Sequence, residues 1–273
     1  MGVDITTPNG TVINDHIQVS TDQFSAARGQ TNVTMGENWV RGNLTNYQLH
    51  VQSAKGYGAD LTFTREAPSS RFGGTGKEYW DPSLTQYSAW FVAMPSAKVK
   101  GTLTYDGEAH PVQGSGYHDH NWGTVEYNKV MDHWYWSRAN FGNYTLDLAL
   151  RVASSFYDYQ QLPAFTLAKG NQVLAEGMKF VTVQGTGNNT SPLGHDYPSQ
   201  LTFNYQNGSD TVRLTLSDPH LIVAGSSTVV TNATALGHPE YLRFKGTGEL
   251  SVNIAGSSET LRGPIIWEIN YGH

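Results

Sequence analysis

Most of the chain reads as short runs in which apolar and polar residues alternate, and no run keeps a 3.6-residue period long enough to define a substantial helix. Strands are predicted over His16 to Thr21, Leu44 to Ser53, Ala59 to Thr64, Ser88 to Met94, Lys98 to Tyr105, Trp134 to Arg138 and Tyr144 to Val152. The second half continues with Phe165 to Ala168, Gln172 to Glu176, Lys179 to Gln184, Gln200 to Tyr205, Thr211 to Ser217, Tyr241 to Phe244, Gly248 to Ile254 and Ile265 to Tyr271. Turn residues separate them, as at Asp106-Gly107, Asn207-Gly208 and Ala255-Gly256. The expected fold is all-β, with two antiparallel barrels or half-barrels: residues 1–155 as an N-terminal domain and 156–273 as a C-terminal one. A polar, Tyr-rich segment at Ser154 to Pro163 marks the boundary, and Gly185 to Ser199 reads as a surface loop or lid.

Composition narrows the function. The charged fraction is 15% and the net charge is −6, with Lys and Arg scattered. Nucleic acid is excluded as a partner, because its phosphates need a basic stripe. No apolar run approaches the roughly 18 residues of a membrane span, and no charged-then-apolar signal segment opens the chain. The absence of cysteine excludes disulfides and thiolate chemistry. Eight Asn-x-Ser/Thr triplets begin at Asn9, Asn32, Asn43, Asn143, Asn188, Asn189, Asn207 and Asn232. Either a Ser/Thr-rich β protein acquires them by composition, or the chain is a secretory glycoprotein whose leader lies outside it.

Candidate chemistry concentrates in Gly116-Tyr117-His118-Asp119-His120-Asn121-Trp122-Gly123 and in Asp132-His133-Trp134-Tyr135-Trp136-Ser137-Arg138-Ala139. On a strand, His118, His120 and Trp122 share one face and Tyr117, Asp119 and Asn121 the other. The first set is the expected chemical face. Trp134, Trp136 and Arg138 share a face opposite Tyr135. Tyr144 and Asp147 are three apart, so they meet in one pocket only across a bulge. Three readings stay open for His118-Asp119-His120: half of a metal site, buried structural hydrogen bonding, or an acid/base group beside an apolar pocket. The acid/base reading is favoured for the group. No dinucleotide fingerprint, phosphate loop or nucleophile elbow is present, and Gly73-Gly74-Thr75-Gly76 reads as a flexible turn.

The run Gly114 to Gly123, followed by His133 to Ala139 and Gly142-Asn143-Tyr144-Thr145, resembles the signature of the hydroxyneurosporene synthase family, the carotenoid 1,2-hydratase-like proteins. The closing Gly263 to Gly272 is also similar to that family, and the resemblance covers the chain from about Asn38 onward. It implies tandem lipocalin-type domains, a hydrophobic pocket in or between them, and no cofactor. It also implies a hydratase acting on prenyl-type double bonds or, as in distantly related fungal Diels–Alderases, a cyclase; a non-catalytic carrier is the third possibility. By resemblance His120 and Trp122 match hydratase motif positions, and Tyr144 with Asp147 a following Tyr/Asp pair. The lead before Asn38 is short for the family, which implies an abbreviated N-terminal domain or a chain beginning inside the protein. The expected catalytic set is thus His120, Asp147, Asp119, His118 and Tyr144. Tyr117, Asn121, Trp122, Trp134, Tyr135, Trp136 and Arg138 are expected to bind a hydrophobic small molecule.

Overall fold

The computed structural model describes residues 1–7, 11–226 and 240–272. Sequon residues Asn9 and Asn232 lie outside them, whereas Asn43, Asn143, Asn188 and Asn207 are exposed. The chain is all-β, as expected, and its sheets are antiparallel and open, in the manner of lipocalin-like half-barrels. β1 (Gly2–Thr6) and β2 (Val12–His16) form a hairpin. There follow β3 (Phe24–Ala26), β4 (Thr31–Met35), β5 (Asn38–Gly42), β6 (Asn46–Gln52), β7 (Gly58–Arg65), β8 (Lys77–Tyr79), β9 (Tyr87–Tyr105) and β10 (Glu108–Gly123). These eight make one sheet, in the order β10-β9-β7-β6-β5-β4-β3 with β8 also on β9. After the single turn α1 (Tyr127–Val130) come β11 (Met131–Phe141), β12 (Tyr144–Ala153), β13 (Gln161–Lys169), β14 (Gln172–Gly177) and β15 (Val181–Thr186). A small hairpin, β16 (Asn189–Thr190) with β17 (Asp196–Tyr197), occupies the expected lid segment. β18 (Gln200–Asn207), β19 (Asp210–Ser226), β20 (Glu240–Ile254) and β21 (Ser257–Tyr271) complete a nine-stranded sheet ordered β14-β13-β12-β11-β21-β20-β19-β18-β15.

Chain contacts divide the molecule into two units, Met1–Glu66 with Ser96–Tyr117, and Ala67–Pro95 with His118–His273. The expected boundary after residue 155 falls in the tight connection between β12 and β13, neighbouring strands of one sheet. Two pairs of predicted strands, Ser88 to Met94 with Lys98 to Tyr105 and Tyr241 to Phe244 with Gly248 to Ile254, are each one long strand, β9 and β20.

β12 positions the site. Its sequence alternates Leu146, Leu148, Leu150 and Val152 with Asp147, Ala149 and Arg151, so the leucines and valine take one face. That face joins Phe165, Leu167, Leu242, Phe244, Trp267 and others in a continuous core of the second unit. Each such side chain contributes about 1.5–3 kcal/mol by leaving water. Burial does not stop there, because all ten residues of β12 are buried. Its polar face is covered as well.

Candidate functional site

The covered face is assembled by strand register within the second unit. Asp147 pairs with Arg138 on β11 and Thr166 on β13; Ala149 pairs with Trp136 and Ala164; Arg151 pairs with Trp134 and Leu162. Directly opposed residues share a face, so Arg138, Trp136 and Trp134 stand beside Asp147, Ala149 and Arg151. Two small residues, Ala149 and Ala164, make a floor between the two charged side chains.

Asp147 is 1% exposed, and neither carboxyl oxygen has a donor in full hydrogen-bond geometry. Burial pushes its pKa well above the ordinary carboxylate range, and the nearby charge of Asp119 pushes it further. The indole N–H of Trp136, the Arg138 guanidinium and the Leu148 backbone pull the other way without reversing the shift. Asp119 is held by Trp90, whose indole Nε1 donates to its Oδ2 at 2.8 Å. The result is a buried carboxyl that holds its proton well above the ordinary carboxylate range, beside the Trp90-anchored Asp119.

A second buried group lies farther along β12. Arg151 Nη2 donates to Glu78 Oε1 at 2.6 Å, with both side chains more than nine-tenths buried. Burial raises the Glu78 pKa, and Arg151 opposes the shift. Tyr127, its pKa raised by burial, hydrogen-bonds to this guanidinium and to Ser88, and Ser88 Oγ in turn accepts from Trp80 Nε1 at 3.0 Å. Ser70 and Thr166 hydroxyls meet at 2.8 Å, another buried polar contact on the same covered face.

The remaining expected site residues distribute unevenly. His120 is exposed and stacks on half-buried Trp122, with centroids 5.4 Å apart, rather than on the Asp147 carboxyl. His118 is half-buried; burial lowers its pKa, against the opposing pull of Asp119. Asn121 is exposed, and Tyr117 is half-buried at the end of the first unit. The register of β12 runs without a bulge from Tyr144 to Val152, so Tyr144 stays on the face opposite Asp147. There it belongs to the apolar core, and Lys169 Nζ donates to its hydroxyl at 3.0 Å. Tyr135 likewise packs on that core. Asp119, from the set opposite His118 and His120, is the octapeptide member whose charge reaches Asp147.

Trp90, Glu78 and Arg151 were not anticipated. Arg151 had a signal, since it interrupts Leu-Asp-Leu-Ala-Leu-Arg-Val on the same parity as Asp147. Glu78 and Trp90 had none: one follows a glycine-rich turn and the other sits in an apolar strand.

Comparison with known proteins agrees with this architecture. The AttH-like family model matches residues 3–223. The chain belongs to the AttH-like family. Among curated proteins this AttH-like chain is similar to a quinolone epoxide rearrangement protein, penF, from Penicillium thymicola, with 30% identity over 101 residues. That match covers 37% of this chain and 28% of the relative, so the chain spans well under two thirds of it. Kievitone hydratase from Nectria haematococca is similar in fold, with a TM-score of 0.56 and 18% identity over 95% of this chain and 74% of that one. CghA is also similar, with a TM-score of 0.67 and 14% identity over 99% and 79%. At such identities these likenesses establish the shared fold of the AttH-like chain.

Proposed function

We propose that the chain is a cofactor-independent enzyme acting on a carbon–carbon double bond of a hydrophobic prenyl or polyene substrate, as a hydratase. The observation that carries this reading is the buried Asp147 carboxyl, its pKa raised well above the ordinary range, on a face it shares with Trp136, Trp134 and Ala149. An alkene is a weak base, and protonating it requires a positioned acid that still carries its proton at the working pH and a surface that tolerates a carbocation. Asp147 delivers its proton to the less substituted carbon, and the π electrons form the new C–H bond. The resulting tertiary cation lies against the indole faces of Trp136 and Trp134. Water adds to the cation, forming the C–O bond, and releases its extra proton to the Asp147 carboxylate, which restores the acid. Asp119, anchored by Trp90, keeps Asp147 protonated between turnovers.

The same carboxyl supports a second reading, an acid-catalysed rearrangement or cyclisation. Here the proton opens an epoxide or starts a ring closure, and the cation is quenched by loss of a substrate proton. The similarity to a protein named for quinolone epoxide rearrangement favours this alternative.

Turnover of prenylated and polyene substrates in water carrying heavy oxygen separates the two readings. Hydration places the label in the product; rearrangement does not. Asp147→Asn is expected to lower kcat/KM by about 10²–10⁴ in either case. Wild-type turnover by this variant would remove the assignment of Asp147.

A further inference from the structure

We propose that the second unit holds a binding site for a small organic ammonium ion, in a cavity of about 280 Å³ lined by Glu78, Trp80, Asp81, Tyr157 and Leu162. This volume lies just below the roughly 300–1,000 Å³ of sites for drug-sized ligands, which suits a compact head group. Two of its aromatic walls are fixed. The Trp80 and Tyr157 rings lie 5.1 Å apart at 58°, and the Tyr157 hydroxyl donates to the Trp80 carbonyl at 3.2 Å. Both residues line the cavity, and aromatic surface attracts ammonium groups.

Charge favours the same class of ligand. Asp81 is a firm anion, its pKa lowered to about 2 by hydroxyl and backbone donors from Ser83, Gln86 and Thr85. Glu78 spends one oxygen on Arg151, while its Oε2 is buried without a partner. Glu78 and Asp81 are thus the acidic residues of the cavity wall, and Arg151 pairs with the first of them. The loop beside the cavity is also strained: Asp158 and Tyr159 both have φ of 53°, a left-handed conformation unusual for non-glycine residues, and Phe156 is 84% exposed. Arg151 is four residues from Asp147, about 13 Å along the strand, so an ammonium ion bound here does not occupy the Asp147 carboxyl.

Titrating the full chain with choline, and with its uncharged tert-butyl analogue, tests the site through the indole N–H resonances. Choline is expected to saturate and to shift the Trp80 signal, while the uncharged analogue has no comparable effect. Tyr157→Ala removes a wall and Leu162→Trp fills the cavity; each should weaken choline at least about tenfold in variants whose unfolding transition matches wild type. Asp147→Asn should bind choline as wild type does. The proposal is overturned by absent saturation, by equal binding of the uncharged analogue, by wild-type affinity in either folded cavity variant, or by loss of binding in Asp147→Asn.

Discussion

The carboxyl of Asp147 is almost completely buried, and neither the Arg138 cation nor the Trp136 indole compensates for that burial. Arg138 is its register neighbour, yet the net effect of surroundings is to keep the proton on. Burial is the larger cause, and the charge of Asp119 adds to it, because a second negative charge nearby disfavours ionisation. Asp119→Asn removes that charge and therefore lowers the Asp147 pKa. In the pH dependence of kcat, the alkaline limb should move to lower pH in this variant, with activity retained best in acid. An unmoved limb would show that the Asp119 charge does not govern the titrating group. His120 was the favoured residue of the octapeptide by motif, and its exposed stacking on Trp122 leaves Asp119 as the member joined electrostatically to the acid.

At the scale of elements, short-range geometry decides whether β8 and β9 can carry Glu78 and Trp90 to β12. Gly76 has φ of +71°, and a Cβ there would lie 2.4 Å from the Trp90 carbonyl oxygen. Gly76→Ala must displace the strand that holds the Asp119 donor. It should cost more than about 1 kcal/mol in denaturant unfolding and also reduce turnover. The Glu78–Arg151 pair makes a second case. Removing one partner strands a buried charge, so Glu78→Gln should cost about 3–5 kcal/mol. Glu78→Gln combined with Arg151→Met should recover most of that loss, and a double-mutant cycle by urea unfolding measures the coupling. Additive losses would mean that the two groups are solvated independently. Strand identity was largely legible from alternation, since β12, β18 and β21 run where apolar residues recur every second position. The length of β9 was not, because Pro95 and the small residues beside it look like a break in a one-dimensional pattern.

Among the described residues, two opposed sets of acidic groups bear on stability. Asp15, Asp81 and Glu259 have lowered pKa values, through hydrogen bonds and lysine contacts, so their stabilisation is present above pH about 4 and fades as the pH falls toward 2. Asp147, Glu78 and Glu176 have raised values, chiefly through burial; the folded state holds their protons more tightly, and this advantage is lost as the pH rises from about 4 through the folded pKa. Wild type and Asp147→Asn should therefore match in stability near pH 4, and the Asn variant should become progressively the more stable toward neutrality. Thermal unfolding across pH checks this; a constant difference would mean that Asp147 titrates alike in the folded and unfolded states. Stability gained where activity is lost is the expected signature of an acid held in an unfavourable place. The sequence by itself determined the strand class, the family resemblance and the parity of β12, because a two-residue period assigns faces without any knowledge of neighbours. It put Asp147 and Arg151 opposite the leucines, and Tyr144 opposite Asp147. Alternation cannot distinguish a polar face turned to water from one covered by more protein. Only the tertiary structure decided that residues of the Ala67–Pro95 segment cover this face, bringing Glu78 to Arg151 and Trp90 to Asp119. That cover excludes water and turns an ordinary aspartate into a candidate acid.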